Sequence, residues 1–224
     1  MKFLPLLMLF LLTAGFLQAE EEKSAFAPLP FDLKPEETLS ASNNWMSLNE
    51  AAGIQAARVE KQTVLMMTNN ARFRSSDVAA YPEVMTLKAA WQITNGKGTM
   101  GFGWIDFSTS QYYYLYEDLA THELILQRGD GVSTKQLALY PLPAATGPRD
   151  FTITRKSQSA AEIVITVLVN GTAVGEPVTD RPDQEMGSTF QIYVGSGNDA
   201  EVTLYSISTI PATSRQRTGG SWFW

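Results

Sequence analysis

Apolar positions recur with a period of two along most of this chain. The 3.6-residue period of an amphipathic helix is almost absent. Val59 to Thr68, Val84 to Thr94 and Thr99 to Phe107 read as strands. Tyr112 to Glu117, Glu123 to Arg128 and Lys135 to Tyr140 continue the series. Phe151 to Lys156 sets Phe151 and Ile153 on one face and Thr152 and Thr154 on the other. Glu162 to Val169 is strongly β-branched, and Thr189 to Val194 and Glu201 to Ile210 close the set. Ser47 to Ala57 fits a short helix or a loop. The runs are punctuated by Asn95-Gly96-Lys97-Gly98, a turn near Asp118, Gly129-Asp130-Gly131 and a Pro-rich loop over 141–148. Asn170-Gly171 predicts a hairpin with a type I′ turn, which needs positive φ at both central positions. About ten strands at this spacing predict an all-β sandwich or barrel.

The pattern breaks at both ends. Lys2, an apolar run from Phe3 to Leu12 that extends to Leu17, and Ala19 before Glu20 have the three parts of a cleavable signal peptide. The run is short of the roughly 20 apolar residues of a membrane span. Residues 1–19 are therefore expected to be a signal peptide, and 20–39 an acidic leader with Pro28, Pro30 and Pro35. The sandwich is expected over 40–211, and a tail ending in Trp222-Phe223-Trp224 over 212–224. The expected compartment is the periplasm or the exterior of a bacterial cell. The remaining chain of about 200 residues suits one domain with its own core.

Charge and cysteine narrow the function classes. A net charge of −6 argues against nucleic acid, whose phosphates call for basic patches. The chain has no cysteine. That excludes disulfides, thiolate zinc sites, a cysteine nucleophile and a lipoprotein anchor.

The order of certain strands carries a resemblance. Gly101-Phe-Gly-Trp-Ile-Asp-Phe is followed by Tyr112-Tyr-Tyr-Leu-Tyr, then by Leu124-Ile-Leu-Gln-Arg with Gly129. Phe151-Thr-Ile-Thr-Arg, Ile163-Val-Ile-Thr-Val-Leu-Val-Asn-Gly and Val202-Thr-Leu-Tyr-Ser-Ile complete it. Over about residues 60–210 this resembles the concanavalin A-like lectin/glucanase superfamily, laminin-G-like and 3-keto-disaccharide hydrolase domains in particular. The resemblance implies a jelly-roll sandwich of two antiparallel sheets, one face of which often binds glycans.

Candidate chemistry centres on aromatic strands. Tyr112, Tyr114 and Tyr116 share one face of their strand, with Tyr113 and Leu115 on the other. Phe102 and Trp104 share a face of the preceding strand, opposed by Ile105 and Phe107. One face of each strand lines the core. The other shows an aromatic surface, covered by a loop or open to sugar rings. The candidate ligand-binding set is Trp104, Asp106, Tyr112, Tyr114, Tyr116 and Gln127. A plain core also accounts for these rings; Trp91 and Trp45 read as core. The Glu-x-Asp-x-x-Glu motif of laminarinase-type glucanases, which sets carboxylates on one strand face, is missing. Asp180, Asp183 and Glu185 have the wrong order and spacing for it, and no catalytic residue is assigned. His122 reads as a turn residue. Calcium is a candidate cofactor, with Asp130, Asn198 and Asp199 as loop-borne oxygen ligands, although all three also suit turns. The leading expectation is a carbohydrate-binding module with glycan as its partner. The alternatives are a glycoside-processing enzyme and an envelope protein using the aromatic tail.

Overall fold

A computed structural model describes residues 32–49, 53–95, 97–106, 108–159, 161–182 and 189–211. The expected signal peptide and aromatic tail, with Phe107, Asp183 and Glu185, lie outside the described residues.

The described chain is almost entirely strand. The first strands are β1 (Trp45–Ser47), β2 (Ile54–Val59), β3 (Gln62–Met67), β4 (Arg72–Ser75) and β5 (Ala79–Ala80). Next come β6 (Val84–Ile93), β7 (Thr99–Asp106), β8 (Gln111–Asp118), β9 (Glu123–Gly129) and β10 (Thr134–Pro141). The rest are β11 (Arg149–Ser159), β12 (Glu162–Val169), β13 (Thr172–Ala173), β14 (Val178–Asp180), β15 (Thr189–Ser196) and β16 (Val202–Pro211). One antiparallel sheet runs β1-β4-β15-β7-β8-β9-β10, with β5 on β15. The other runs β13-β12-β11-β6-β16-β3-β2, with β14 on β12. The expected jelly-roll sandwich is the observed fold. We call the two sheets the β7–β8 sheet and the β6–β11 sheet.

Alternation builds the core. β8 buries Tyr113, Leu115 and Glu117 and turns Tyr112, Tyr114 and Tyr116 outward. β11 points Arg149, Phe151, Ile153 and Arg155 inward. Trp91 stacks on Phe151 with ring centroids 3.9 Å apart and meets Phe102 edge-on at 5.5 Å. Trp45 and Trp91 are core residues, as expected. Asn170 and Gly171 both take positive φ, 50° and 77°, as the type I′ expectation requires.

Two expectations need correction. Val59 to Thr68 is two strands, because Glu60 takes a φ of 54° and turns β2 into β3. The stretch from Ser47 to Ala57 ends β1 and opens β2 rather than forming a helix where described. Its short strands lack room for a visible alternation. Leu33 and Leu39, in the last part of the expected leader, are 5% and 2% exposed in the core, and Asp32 accepts hydrogen bonds from Ser42 and Asn43.

Candidate functional site

The outward face of the β7–β8 sheet is a lattice of tyrosines and glycines, fixed by strand register. One row across it reads Arg74, Tyr193, Gly103, Tyr114, Gln127, Gln136. The row beside it reads Arg72, Gly195, Gly101, Tyr116, Ile125. On the other side stand Gln191, Ile105, Tyr112, Gly129, Thr134. Each outward tyrosine of β8 thus has a glycine as a cross-strand neighbour.

The glycines make room for rings that lie down on the sheet. A Cβ at Gly129 would stand 2.1 Å from Tyr112 Cζ, and one at Gly101 would stand 2.8 Å from Tyr114 Cζ. Tyr114 donates its hydroxyl to the Gly195 carbonyl at 2.9 Å. It stacks beside Tyr116 at 5.9 Å and meets Tyr193 edge-on at 5.5 Å. Tyr112 is hydrogen-bonded to Thr134 at 3.0 Å. The glycine-aromatic-glycine strand and the tyrosine strand are therefore one device, a flattened aromatic floor.

A groove of about 410 Å³ runs over this floor. Tyr112, Tyr114, Tyr193, Gln127, Arg72 and Gly195 line it, together with Thr99, Trp104, Ile105, Tyr113, Ser196 and Gly197. That volume lies in the range of small-ligand sites. Burial, more than any neighbour, raises the Tyr114 hydroxyl pKa well above its ordinary value, and burial raises that of Tyr193 also. Both hydroxyls therefore stay protonated at neutral pH and can donate. Arg72 is the one charged residue among the described lining residues. A second cavity, about 830 Å³, is lined by Thr38, Ser42, Trp45 and Gln55 among others. Its described lining holds no charged residue, and the one aromatic there, Trp45, is packed edge-on against Phe73 at 5.3 Å.

The structure divides the candidate set expected from sequence. Tyr112, Tyr114, Tyr116 and Gln127 share the outward face. Trp104 and Asp106 do not, because Trp104 pairs with Tyr113 and Asp106 with Gln111, which put both on the core face. Trp104 is 0% exposed and stacks on Tyr113 at 5.3 Å. Asp106 is 1% exposed and accepts the amide and hydroxyl of Ser108 at 2.8 and 2.5 Å. Burial pushes its pKa up, but the bonds from Ser108 and Thr109 outweigh that and hold it below the ordinary carboxylate range. Sequence reasoning missed Arg72 and Tyr193. Arg72 stands on a four-residue strand, and Tyr193 joins the floor only through the long-range pairing of β15 with β7.

The three metal candidates do not meet. Asp130 closes its own turn, accepting the amides of Val132 and Ser133 at 2.9 and 2.7 Å. Those bonds, led by that of Ser133, lower its carboxyl pKa. Asn198 and Asp199 form the β15–β16 turn beside the start of β7, while Asp130 follows Gly129 beside its end. Among the described residues no three histidines, carboxylates or cysteines converge on one point. His122 is an exposed turn residue with a φ of 56°.

No family model matches the chain, and no curated protein does. Solved structures do. The carbohydrate-binding module CBM66 from Bacillus subtilis has a TM-score of 0.53 at 13% identity over 81% of this chain and 99% of that one. The potassium-bound carbohydrate recognition domain of Emp46p reaches 0.60 at 12% identity, over 82% and 96%. A prokaryotic β-1,3-1,4-glucanase (lichenase) derived from a mouse hindgut metagenome gives 0.53 at 11%, over 76% and 94%. At such identities the likeness is one of fold. It shows the same sandwich architecture in each of these domains.

Proposed function

We propose that this chain is an exported carbohydrate-binding module whose site is the groove on the outward face of the β7–β8 sheet. The observation that carries this reading is the aromatic floor. Rings held flat at fixed register offer apolar faces to the C–H face of a sugar, and little side-chain entropy remains to be lost on binding. Gln127, Arg72 and the tyrosine hydroxyls stand around that floor as partners for sugar hydroxyls. The outward face of the β6–β11 sheet is different in kind, with Thr86, Thr152, Thr154, Lys88, Ser206 and Ser208. Solved structures of like fold described as carbohydrate-binding support the same reading.

A glycosidase of the two-carboxylate type needs a general acid and a nucleophile or base on either side of the scissile bond. The described residues of the groove include no carboxylate. This favours binding over hydrolysis, despite the lichenase of like fold.

The test is affinity electrophoresis or calorimetry against a panel of polysaccharides. Tyr112→Ala and Gln127→Ala are expected to weaken binding about tenfold each while leaving the melting temperature close to wild type. Failure of the wild-type chain to bind any polysaccharide, with and without calcium, sinks the proposal. Chelation with EDTA decides the calcium question in the same assay. Export rests on residues 1–19, and its measurement is the N-terminal sequence of the protein recovered from bacterial periplasm, expected to begin at Glu20.

A further inference from the structure

We infer that the saccharide taken by this groove carries an anionic substituent, a carboxylate or a sulfate, held by Arg72. The inference rests on the proposed function and narrows its ligand class. Its first support is charge. The chain is acidic, with a net charge of −6, yet the described groove residues bring together one positive charge and no negative one.

Its second support is the placement of the guanidinium. The Arg72 stem crosses Gly195, its Cγ 3.5 Å from the point where a Cβ of that residue would stand. That is ordinary van der Waals contact, while the same Cβ would press at 3.2 and 3.3 Å on the Tyr114 and Tyr193 hydroxyls. Asn70 Oδ1 accepts from Arg72 Nε at 3.1 Å and holds the head in place. Arg72 lines the same groove as Tyr114 and Tyr193, and its charge acts on both hydroxyls. None of the ion pairs among the described residues uses Arg72. Its Nη atoms keep the fork that binds carboxylate and sulfate oxygens two at a time.

Geometry and charge thus fit one ligand: a sugar ring on the tyrosines with its acidic group reaching Arg72. Asp118 and Glu123 stand opposite each other one row past Tyr116. Neither is among the described lining residues of the groove.

The test compares three ligands against the full chain at low salt: a neutral galactan, a sulfated galactan and polygalacturonate. At least one anionic polymer is expected to bind ten times or more tighter than the neutral one. Arg72→Met should remove that preference and keep the wild-type melting temperature. Comparing the sulfated and uronate arms identifies the anionic group. If the neutral galactan binds as well as both anionic polymers, or if Arg72→Met leaves the preference intact, the inference fails and the carbohydrate-binding reading stands. If none of the three binds but another neutral polysaccharide does, the inference likewise fails alone. If no polysaccharide binds at all, both fail.

Discussion

Gly103 is where a single atom decides most. A Cβ there would stand 1.9 Å from the Tyr113 carbonyl oxygen, across the β7–β8 ladder. The obstacle is backbone, so no rotamer change relieves it. Gly103→Ala is expected to cost about 3 kcal/mol, the upper part of the range for overpacking. Gly147 has nothing within 4 Å of such an atom, and Gly147→Ala should change stability by less than about 0.5 kcal/mol. Urea midpoints of the two variants check this; equal midpoints would contradict the account of the glycine lattice. Asp106 gives a second residue-scale case, because its hydrogen bonds to Ser108 hold its folded pKa below the unfolded one. The carboxylate's contribution is fully present above the unfolded value and is lost as pH falls through the folded value. Asp106→Asn should therefore cost about 1 kcal/mol at neutral pH. The gap from wild type should narrow on the acid side of the ordinary carboxylate range. Urea titrations at neutral and acid pH measure it, and a gap that widens in acid would reverse the sign.

At the scale of the element, β11 shows how one strand can close a core at both ends. Its inward positions read Arg149, Phe151, Ile153, Arg155, two apolar residues between two arginines. Arg149 pairs with Glu117, whose other oxygen accepts the Trp91 indole N–H at 2.9 Å. Arg155 lies over the Tyr81 ring at 4.7 Å, with Tyr113 near enough to act on its charge. Arg149→Met would leave Glu117 buried with one donor, at a cost of about 3–5 kcal/mol. Arg181 and Glu162 form an exposed pair, and Arg181→Met should cost no more than about 1 kcal/mol. Denaturant unfolding of the two variants distinguishes them. Glu117→Gln added to Arg149→Met should recover part of the loss. The elements are also where legibility in the sequence changes. β6, β7, β8, β11 and β12 were readable because each runs for at least eight residues between turn signals. β4, β5, β13 and β14 were not, since two to four residues cannot display a period. The face of each ring in β7 and β8 was undecided for another reason. Both faces of both strands are apolar, so only the partner strand chooses which turns inward. That choice put Trp104 inside and left Tyr114 outside.

At the scale of the whole molecule, the last strands of the chain are central in both sheets. β15 lies between β4 and β7, and β16 lies between β6 and β3. Both sheets therefore stay open until residues 189–211 arrive. The groove shares that dependence, since Tyr193 and Gly195 belong to β15. No local pattern announces such pairings: the sequence separation between Gly101 and Gly195 hides a direct cross-strand contact. That is why the tyrosine strand was legible as a candidate and the site's other wall was not. Loop closure over such separations makes folding slow relative to helical domains of similar size. It also makes stability non-local, with the central strands opening only when the sandwich opens. Native-state hydrogen exchange is expected to find its slowest amides in β6, β7, β15 and β16, exchanging together at the free energy of global unfolding. Edge strands β10 and β13 should exchange earlier. Removing residues 200–224 takes away β16 and exposes the partners of Val202, Leu204 and Ile207, all 0% exposed, so that chain should show no cooperative melting transition. Fast, independent exchange in β15, or a cooperative transition without β16, would contradict the claim that the late strands hold both sheets and the groove together.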